Sequence, residues 1–288
     1  MGLNLREKRN LMIMGAKRRP ILLDIIHFVT GFAKPVIIFS HGFKGFKDWG
    51  HFNLVAKAFA EQGFVFVKYN FSHNGTTSET PTEFSDLNAF GENNFSIELE
   101  DLDRVIEWIT EEQLIIPRSE VDLEQIYLLG HSRGGATTLI KASENEKIKK
   151  AATWSSISSL YRYEAVGSIE DWKKTGVVHI ENERTNQQMP LHFQLYEDLV
   201  GHPERLNIKK AVESSQKPML FVHGKNDESV PLEEGVELSS FNPKSTLKVI
   251  SEGDHSFGGK HPWKSDELPD DTLEAIDITT EFFFNQDE

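Results

Sequence analysis

Short apolar runs alternate along the chain with longer segments in which apolar residues recur every three or four positions. Runs without polar alternation are typical of strands that are buried on both faces of a parallel sheet. Segments with the longer period predict helices that have one apolar face. The strand-like runs occupy residues 36–39, 64–67, 126–129, 219–222 and 247–250, and the helix-like segments occupy residues 52–60, 102–109 and 273–283. This alternation predicts an α/β fold.

Two further extended runs lie near the start of the chain, at residues 11–14 and 21–28. They flank Gly15-Ala16-Lys17, which is turn-like in composition. We expect these runs to form an antiparallel hairpin at the edge of the sheet.

Two stretches interrupt the alternation of strands and helices. Residues 70–94 are polar and aperiodic, and a connection of this length is expected to be partly functional. Residues 155–216 form a larger insertion, and insertions into α/β sheets commonly cover the carboxyl ends of the strands, where ligands bind. We therefore expect a core of residues 1–154 and 217–288 with a cap at 155–216. A decorative insertion remote from the site is the alternative.

The insertion has internal patterns of its own. Residues 177–191 predict a hairpin, and residues 193–200 predict a helix. Its aromatic residues suggest a pocket for an apolar or aromatic group. They are Tyr161, Tyr163 and Trp172.

Charge and composition exclude several classes of function. The net charge of −14 would repel nucleic acid and anionic membranes, so neither is expected as a partner. The chain has no cysteine, which excludes disulfides, thiolate zinc sites and a cysteine nucleophile. Its 11 histidines show no ligand spacing such as HExxH, so we expect neither a metal nor another cofactor.

The polar first ten residues do not resemble a signal peptide, and no apolar run could span a bilayer. We expect a cytoplasmic protein.

The candidate nucleophile is Ser132, in the sequence Gly130-His131-Ser132-Arg133-Gly134. This sequence directly follows the strand-like run 126–129 and precedes residues that are compatible with a helix. A sharp turn from strand to helix exposes the hydroxyl and requires small residues on both sides of the serine. The position of the motif after a buried strand predicts a nucleophilic serine.

A serine hydroxyl needs a base to accept its proton and a carboxylate to orient that base. In the hydrolase order of serine, acid and histidine, the candidates are Asp227 and His255. Each follows the end of a predicted strand, and so lies at the same edge of the sheet as Ser132. Glu228 and Asp254 are neighbouring carboxylates, but a bond between Asp254 and the imidazole of the next residue is geometrically awkward.

An oxyanion formed at this serine needs two backbone N–H donors. One is expected from Arg133, the residue after the nucleophile. The other is expected from Phe43, in the turn after the strand at 36–39, where Gly42 would permit an unusual backbone angle. We interpret His41, in the same turn, as a structural residue.

With these motifs, the chain resembles the α/β-hydrolase superfamily, and within it a bacterial branch similar to dienelactone-hydrolase-like and cinnamoyl/feruloyl-type esterases. The resemblance implies a mostly parallel eight-stranded sheet flanked by helices. It also implies the roles already given to Ser132, Asp227, His255, Phe43 and Arg133. A dienelactone hydrolase uses a cysteine nucleophile, which this chain lacks. The segments that carry the resemblance are 41–43, 70–75, 130–135, 223–231 and 254–255.

The function that we predict is hydrolysis of small-molecule carboxylic esters through an acyl-enzyme intermediate. A serine aminopeptidase or thioesterase would use the same residues, and a peptidase would need an acid in the cap, such as Glu164, Glu181 or Glu183. A non-catalytic binding protein on the same scaffold usually has a damaged triad, whereas all three residue types are present here. The oligomeric state does not follow from the sequence.

Overall fold

A computed structural model describes residues 4–112, 115–162 and 166–285 of the chain. Eight strands in the described residues form one sheet in the order β1-β2-β4-β3-β5-β6-β9-β10. The remaining two strands, β7 and β8, form a separate antiparallel pair. The strands are β1 (Asn4–Met14), β2 (Pro20–Val29), β3 (Lys34–Ser40), β4 (Val65–Asn70), β5 (Val121–His131), β6 (Ile148–Trp154), β7 (Val177–Asn182), β8 (Gln187–His192), β9 (Met219–Gly224) and β10 (Thr246–Ile250).

The sheet is mostly parallel, as the sequence predicts. All neighbours from β4 to β10 pair in parallel, whereas β2 pairs antiparallel with both β1 and β4. The expected edge hairpin is therefore confirmed, and β1 begins at Asn4, earlier than the apolar pattern indicates. The first seven residues of β1 are mostly polar and exposed, which is why hydrophobicity did not reveal them.

Helices cover both faces of the sheet. Successive side chains of a strand point to opposite faces, so Val36 and Ile38 join one apolar core while Ile37 and Phe39 join the other. α1 and α9 contribute to the second core, and α3 and α4 contribute to the first. The helices are α1 (Phe52–Glu61), α2 (Leu87–Glu92), α3 (Phe95–Glu107), α4 (Arg133–Glu144), α5 (Ile169–Thr175), α6 (Gln194–Gly201), α7 (Ile208–Ser214), α8 (Leu232–Ser240) and α9 (Asp270–Phe284).

Two helices differ from the sequence pattern. α3 begins at Phe95, seven residues before the predicted segment, because the side chain of Asn94 accepts a hydrogen bond from the Ile97 amide and caps the helix. The stretch 70–94 is polar in sequence, yet it contains α2, whose residues Ala89 and Phe90 are buried. None of the described helices combines the length and the apolar character needed to cross a membrane.

Residues 155–216 contain the predicted hairpin, as β7 and β8, and the predicted helix, as α6. Trp172 is fully buried among these elements, and its indole N–H donates to the Leu191 carbonyl over 2.9 Å. Phe193 and Tyr196 pack against its ring. Trp172 therefore stabilises the insertion from inside.

Candidate active site

Ser132 lies on a strained turn between β5 and α4. Its φ of 54° and ψ of −124° are unfavourable for a residue with a side chain, and such strain often marks a functional position. The turn is also crowded. A Cβ at Gly130 would lie 2.3 Å from the Gly134 carbonyl oxygen, and a Cβ at Gly134 would lie 2.3 Å from that of Ser40. Glycine is therefore required on both sides of the serine.

Asp227 and His255 form a hydrogen-bonded pair at the ends of β9 and β10. Asp227 Oδ2 accepts a 2.8 Å bond from His255 Nδ1, and its Oδ1 accepts bonds from the amides of Ser229 and Val230. Burial acts to raise the pKa of the Asp227 carboxyl, but these hydrogen bonds and the nearby imidazole hold that pKa below its ordinary value. The carboxylate therefore stays ionised and fixes the proton of His255 on Nδ1.

The two neighbouring carboxylates are placed differently. Asp254 Oδ1 accepts bonds from the amides of Ser256 and Gly258 in its own loop. Glu228 is exposed. In the structure, His255 is therefore paired with Asp227, the carboxylate that follows the end of a predicted strand.

His131 supports the backbone of His255. Its Nε2 donates a 2.8 Å hydrogen bond to the His255 carbonyl, and the centroids of the two rings are 4.8 Å apart. Burial and the neighbouring His255 lower the pKa of His131 to about 3, so its imidazole is neutral at ordinary pH. His223 likewise donates to the Val230 carbonyl, over 2.8 Å. Both act as structural donors beside the pair.

The turn after β3 lies against Ser132. A Cβ at Gly42 would come within 3.0 Å of the Ser132 Cβ, and the φ of Gly42 is not in the left-handed region. The expectation of an unusual angle at Gly42 is therefore wrong, and close approach is the reason for glycine there. His41 Nδ1 donates to the Gly42 carbonyl over 2.9 Å, and burial lowers the pKa of His41 to about 4. His41 is thus a neutral, structural residue.

Arg133 begins α4, and its side chain is held from several sides. Its guanidinium contacts both carboxylate oxygens of Glu98, at 2.9 and 3.2 Å. It also lies 4.4 Å from the centroid of the Phe95 ring and 5.2 Å from that of Phe43. The two expected oxyanion donors, Phe43 and Arg133, are therefore in contact through their side chains. The sequence carried no signal for this use of Glu98.

Two cavities open beside Ser132 and His255, and both residues line each of them. The polar cavity has a volume of about 530 Å³, and the apolar cavity has a volume of about 410 Å³. The polar cavity is lined by side chains that include Lys44, Trp49, Glu181, Glu183, Arg184 and Ser256. The apolar cavity is lined by side chains that include Phe43, Phe95, Leu160, Leu191, Leu195 and Val230.

Two of the aromatic residues of the insertion, Trp172 and Tyr161, do not line either cavity. Trp172 is internal to the insertion, and Tyr161 is exposed and absent from the lining of both cavities. Tyr163 lies outside the described residues, as does Glu164, which was one of three candidate acids. The other two, Glu181 and Glu183, line the polar cavity. Within the described ranges, no three histidine or carboxylate side chains come together in a way that could hold a metal ion.

The chain is similar in sequence to one family model and in structure to several solved proteins. The family model described as BD-FAE matches residues 27–241, more than half of the chain. Est1E from Butyrivibrio proteoclasticus, with ferulic acid bound, superimposes with a TM-score of 0.66 at 18% identity, over 94% of this chain and 97% of that one. The esterase domain of a Rhodothermus marinus protein gives 0.64 at 16% identity, over 97% and 98%.

A Pyrococcus horikoshii acylaminoacyl peptidase gives a TM-score of 0.64 at 16% identity, over 97% of this chain and 41% of that one. No curated protein matches the chain in sequence. At these identities the structural likeness establishes the fold, which is that of the α/β-hydrolases.

Proposed function

The chain belongs to the BD-FAE family, and on that premise we propose that it is a serine hydrolase that cleaves carboxylic esters. The observation that carries the proposal is that Ser132 and His255 line the same cavity, where His255 is hydrogen-bonded to Asp227. A strained serine, an oriented imidazole and a buried carboxylate together form the arrangement that activates a hydroxyl.

The reaction would proceed in two stages. Ser132 Oγ attacks the acyl carbon while His255 Nε2 accepts the hydroxyl proton, since Nδ1 is occupied by Asp227. The carbonyl oxygen becomes an oxyanion, which the backbone N–H groups of Phe43 and Arg133 bind. His255 then gives its proton to the departing alkoxide, leaving an acyl-enzyme. Water, deprotonated by His255, attacks that ester and releases the acid and the free serine.

Residues 155–216 would act as a cap over this site. Leu191 and Leu195 line the apolar cavity, and residues 181–184 line the polar cavity. The insertion thus supplies walls to both sides of the nucleophile, and it would decide which substrates enter.

The relatives support ester hydrolysis. One structural neighbour is a complex of Est1E with ferulic acid, and another is an esterase domain. The small cavities beside Ser132 would suit a small-molecule ester.

The charge of −14 would disfavour nucleic acid and anionic membranes as partners, and we propose a cytoplasmic location.

Labelling with a fluorophosphonate probe tests the nucleophile. The phosphorus forms a bond to an activated serine oxygen as fluoride leaves, so the wild type should be labelled and Ser132→Ala should not. Ser143→Ala is a matched control, because this serine lies on the same helix α4 and is bonded to the Ile140 carbonyl. Equal labelling of wild type and Ser132→Ala would remove Ser132 as the nucleophile. An unlabelled wild type would favour a non-catalytic binding protein.

An aminopeptidase is the second candidate, and thioester hydrolysis would use the same residues. The peptidase is favoured by one observation, that Glu181 and Glu183 line the polar cavity, where a carboxylate could bind a substrate ammonium. A peptidase is also among the structural neighbours. A panel of short-chain esters, aryl esters, hydroxycinnamate esters, thioesters and amino-acid anilides would separate these activities. Faster turnover of the anilides than of all esters would replace the esterase assignment.

A further inference from the structure

The polar cavity contains a cation that the proposed reaction does not use. Arg184 lies in the turn between β7 and β8, and it lines the cavity together with Ser132 and His255. We propose that Arg184 binds an anionic group of the substrate, specifically a carboxylate, in the polar cavity. This inference rests on the proposed function and adds a substrate class to it: esters with one apolar half and one anionic half.

Arg184 is held in place without a counter-ion. Its Nη2 donates to the Lys44 carbonyl over 3.2 Å, and its guanidinium lies 5.8 and 5.9 Å from the ring centroids of Phe46 and Phe84. No carboxylate in the described part of the chain forms a salt bridge with it. A guanidinium has five N–H donors in a planar fork, so most of its donors remain for a ligand.

The polar cavity carries charges of both signs, but neither Glu181 nor Glu183 forms a salt bridge with Arg184. Burial lowers the pKa of Lys44, the negative charge of Glu183 acts to raise that pKa, and the positive charge of Arg184 acts to lower it. For Arg184 burial alone lowers the pKa, and no carboxylate opposes the effect. The positive charge of Arg184 also contributes, after burial, to the lowered pKa of His261. The guanidinium of Arg184 thus lines the cavity without a carboxylate partner among the described residues, which leaves it available to an anionic group.

The turn that carries Arg184 is fixed to the turn that carries Phe43. Lys44 Nζ donates to the Glu181 carbonyl over 3.3 Å, and Arg184 donates in return to the backbone of Lys44. These two bonds join the β7–β8 turn to the chain beside the proposed oxyanion site. A carboxylate paired with Arg184 would thus be held at a set distance from Ser132, and a planar guanidinium binds a planar carboxylate through two parallel hydrogen bonds.

In this proposal the two cavities bind different parts of the substrate. The apolar cavity receives one half of the ester, and the polar cavity receives the charged half, with the scissile bond at Ser132 between them. The proposal covers a carboxylate on the acid half or on the alcohol half, so both forms are tested.

The experiment compares kcat/KM for two matched pairs of esters. In the first pair, 3-carboxy-4-nitrophenyl butyrate and 4-nitrophenyl butyrate differ by a carboxylate on the alcohol half. In the second, the mono-4-nitrophenyl ester of glutaric acid and 4-nitrophenyl valerate differ by a carboxylate on the acid half. We expect the wild type to prefer the charged ester in at least one pair, by about tenfold, the lower range for a hydrogen bond to a charged group.

Arg184→Gln should remove that preference, and Arg184→Lys should restore part of it, since lysine retains the charge without the fork. Arg205→Gln is the matched control, because Arg205 belongs to the same insertion and pairs with Glu144 away from both cavities. The control should keep the wild-type ratio. An unchanged ratio in Arg184→Gln would overturn the proposal, while hydrolysis of the neutral esters would leave the proposed function intact. A preference for cationic esters that is lost in Glu183→Gln would also overturn it.

Direct binding gives a readout that does not depend on turnover. Calorimetric titration with 4-nitrobenzoate and with 4-nitrobenzamide compares a carboxylate with a neutral group of the same shape. Tighter binding of the benzoate to wild type than to Arg184→Gln would support the anion site even if no ester were hydrolysed. Equal binding by the two proteins would overturn it.

Discussion

The guanidinium of Arg133 and the carboxylate of Glu98 form a nearly buried, two-point ion pair directly beside Ser132. Arg133 begins α4, whereas Glu98 lies in the first turn of α3, so the pair joins two helices at the proposed site. The side chain of Thr137 also donates to Glu98, over 3.3 Å. The pair therefore fixes the start of α4, where the expected oxyanion donor lies.

Glu98→Gln should lower kcat by about tenfold while KM changes less, because the Arg133 amide would no longer be held where the oxyanion develops. Steady-state kinetics on a neutral ester, with thermal unfolding in parallel, checks this result. Glu100→Gln is the control, since Glu100 lies on the same helix in an exposed pair with Arg104. A rise in KM at constant kcat would mean that the pair serves substrate binding instead.

Ser132→Ala and His255→Ala should each lower kcat by about 10⁴-fold or more, and the double variant should be no slower than the slower single variant. In the proposed mechanism the two side chains act as one unit, so loss of either would remove proton transfer. Single-turnover rates on an activated ester measure the effect. Additive losses in the double variant would contradict a shared role for the two residues.

Lys68→Met should lower the free energy of unfolding by about 3–5 kcal/mol, because it leaves buried carboxylates short of a partner. Lys68 contacts Asp24 over 2.7 Å and also contacts Asp48, and Lys47 completes this buried network. Lys57→Met removes an exposed lysine paired with Glu61 at 3.7 Å, and should change stability by less than about 1 kcal/mol. Urea unfolding of both variants tests the contrast, and equal losses would refute it.

Asp101 should make stability depend on pH. Its carboxylate accepts bonds from the amides of Ala16 and Ser72, yet burial raises its pKa from 3.8 to about 7. The folded protein therefore binds this proton more tightly than the unfolded chain, and the stability that protonation supplies is present below pH 3.8 and lost as pH rises through about 7.

Comparison with Asp101→Asn isolates this effect. The unfolding free energy of the wild type, relative to the variant, should fall between pH 4 and pH 7 by an amount on the order of 4 kcal/mol. Urea titrations at intervals of one pH unit provide the measurement. A difference between the two proteins that stays constant with pH would show that Asp101 is ionised throughout.

Gly134→Ala should destabilise the protein by about 3 kcal/mol, because the new methyl group would meet the backbone carbonyls of Ser40 and His41 at 2.3 and 2.4 Å. It should also lower activity, since Ser132 would be displaced. Gly201→Ala is the matched control, for no atom lies within 4 Å of its added Cβ. It should stabilise α6 by about 0.5–1 kcal/mol. Thermal unfolding and kcat on one ester check both variants, and equal behaviour of the two would contradict the argument.

The core sheet and the position of Ser132 could be predicted because their signals are local. The run Ile126, Tyr127, Leu128 and Leu129 has the composition of a buried strand, and glycines beside Ser132 permit the turn that follows. Asp227 and His255 are predicted in the same way, each after its own strand, and parallel pairing brings the strand ends to one edge.

Only the tertiary structure decided which residues surround Ser132, Asp227 and His255. Glu98 and Arg133 are far apart in sequence, and Trp172 and Tyr161 look alike as aromatic residues, yet one is internal and the other is exposed. Arg184 reaches the cavity through the docking of a hairpin. The physical reason is that hydrophobic periodicity depends on the secondary structure of a segment and on the face that the segment buries. Contacts between segments depend instead on the packing of the whole chain.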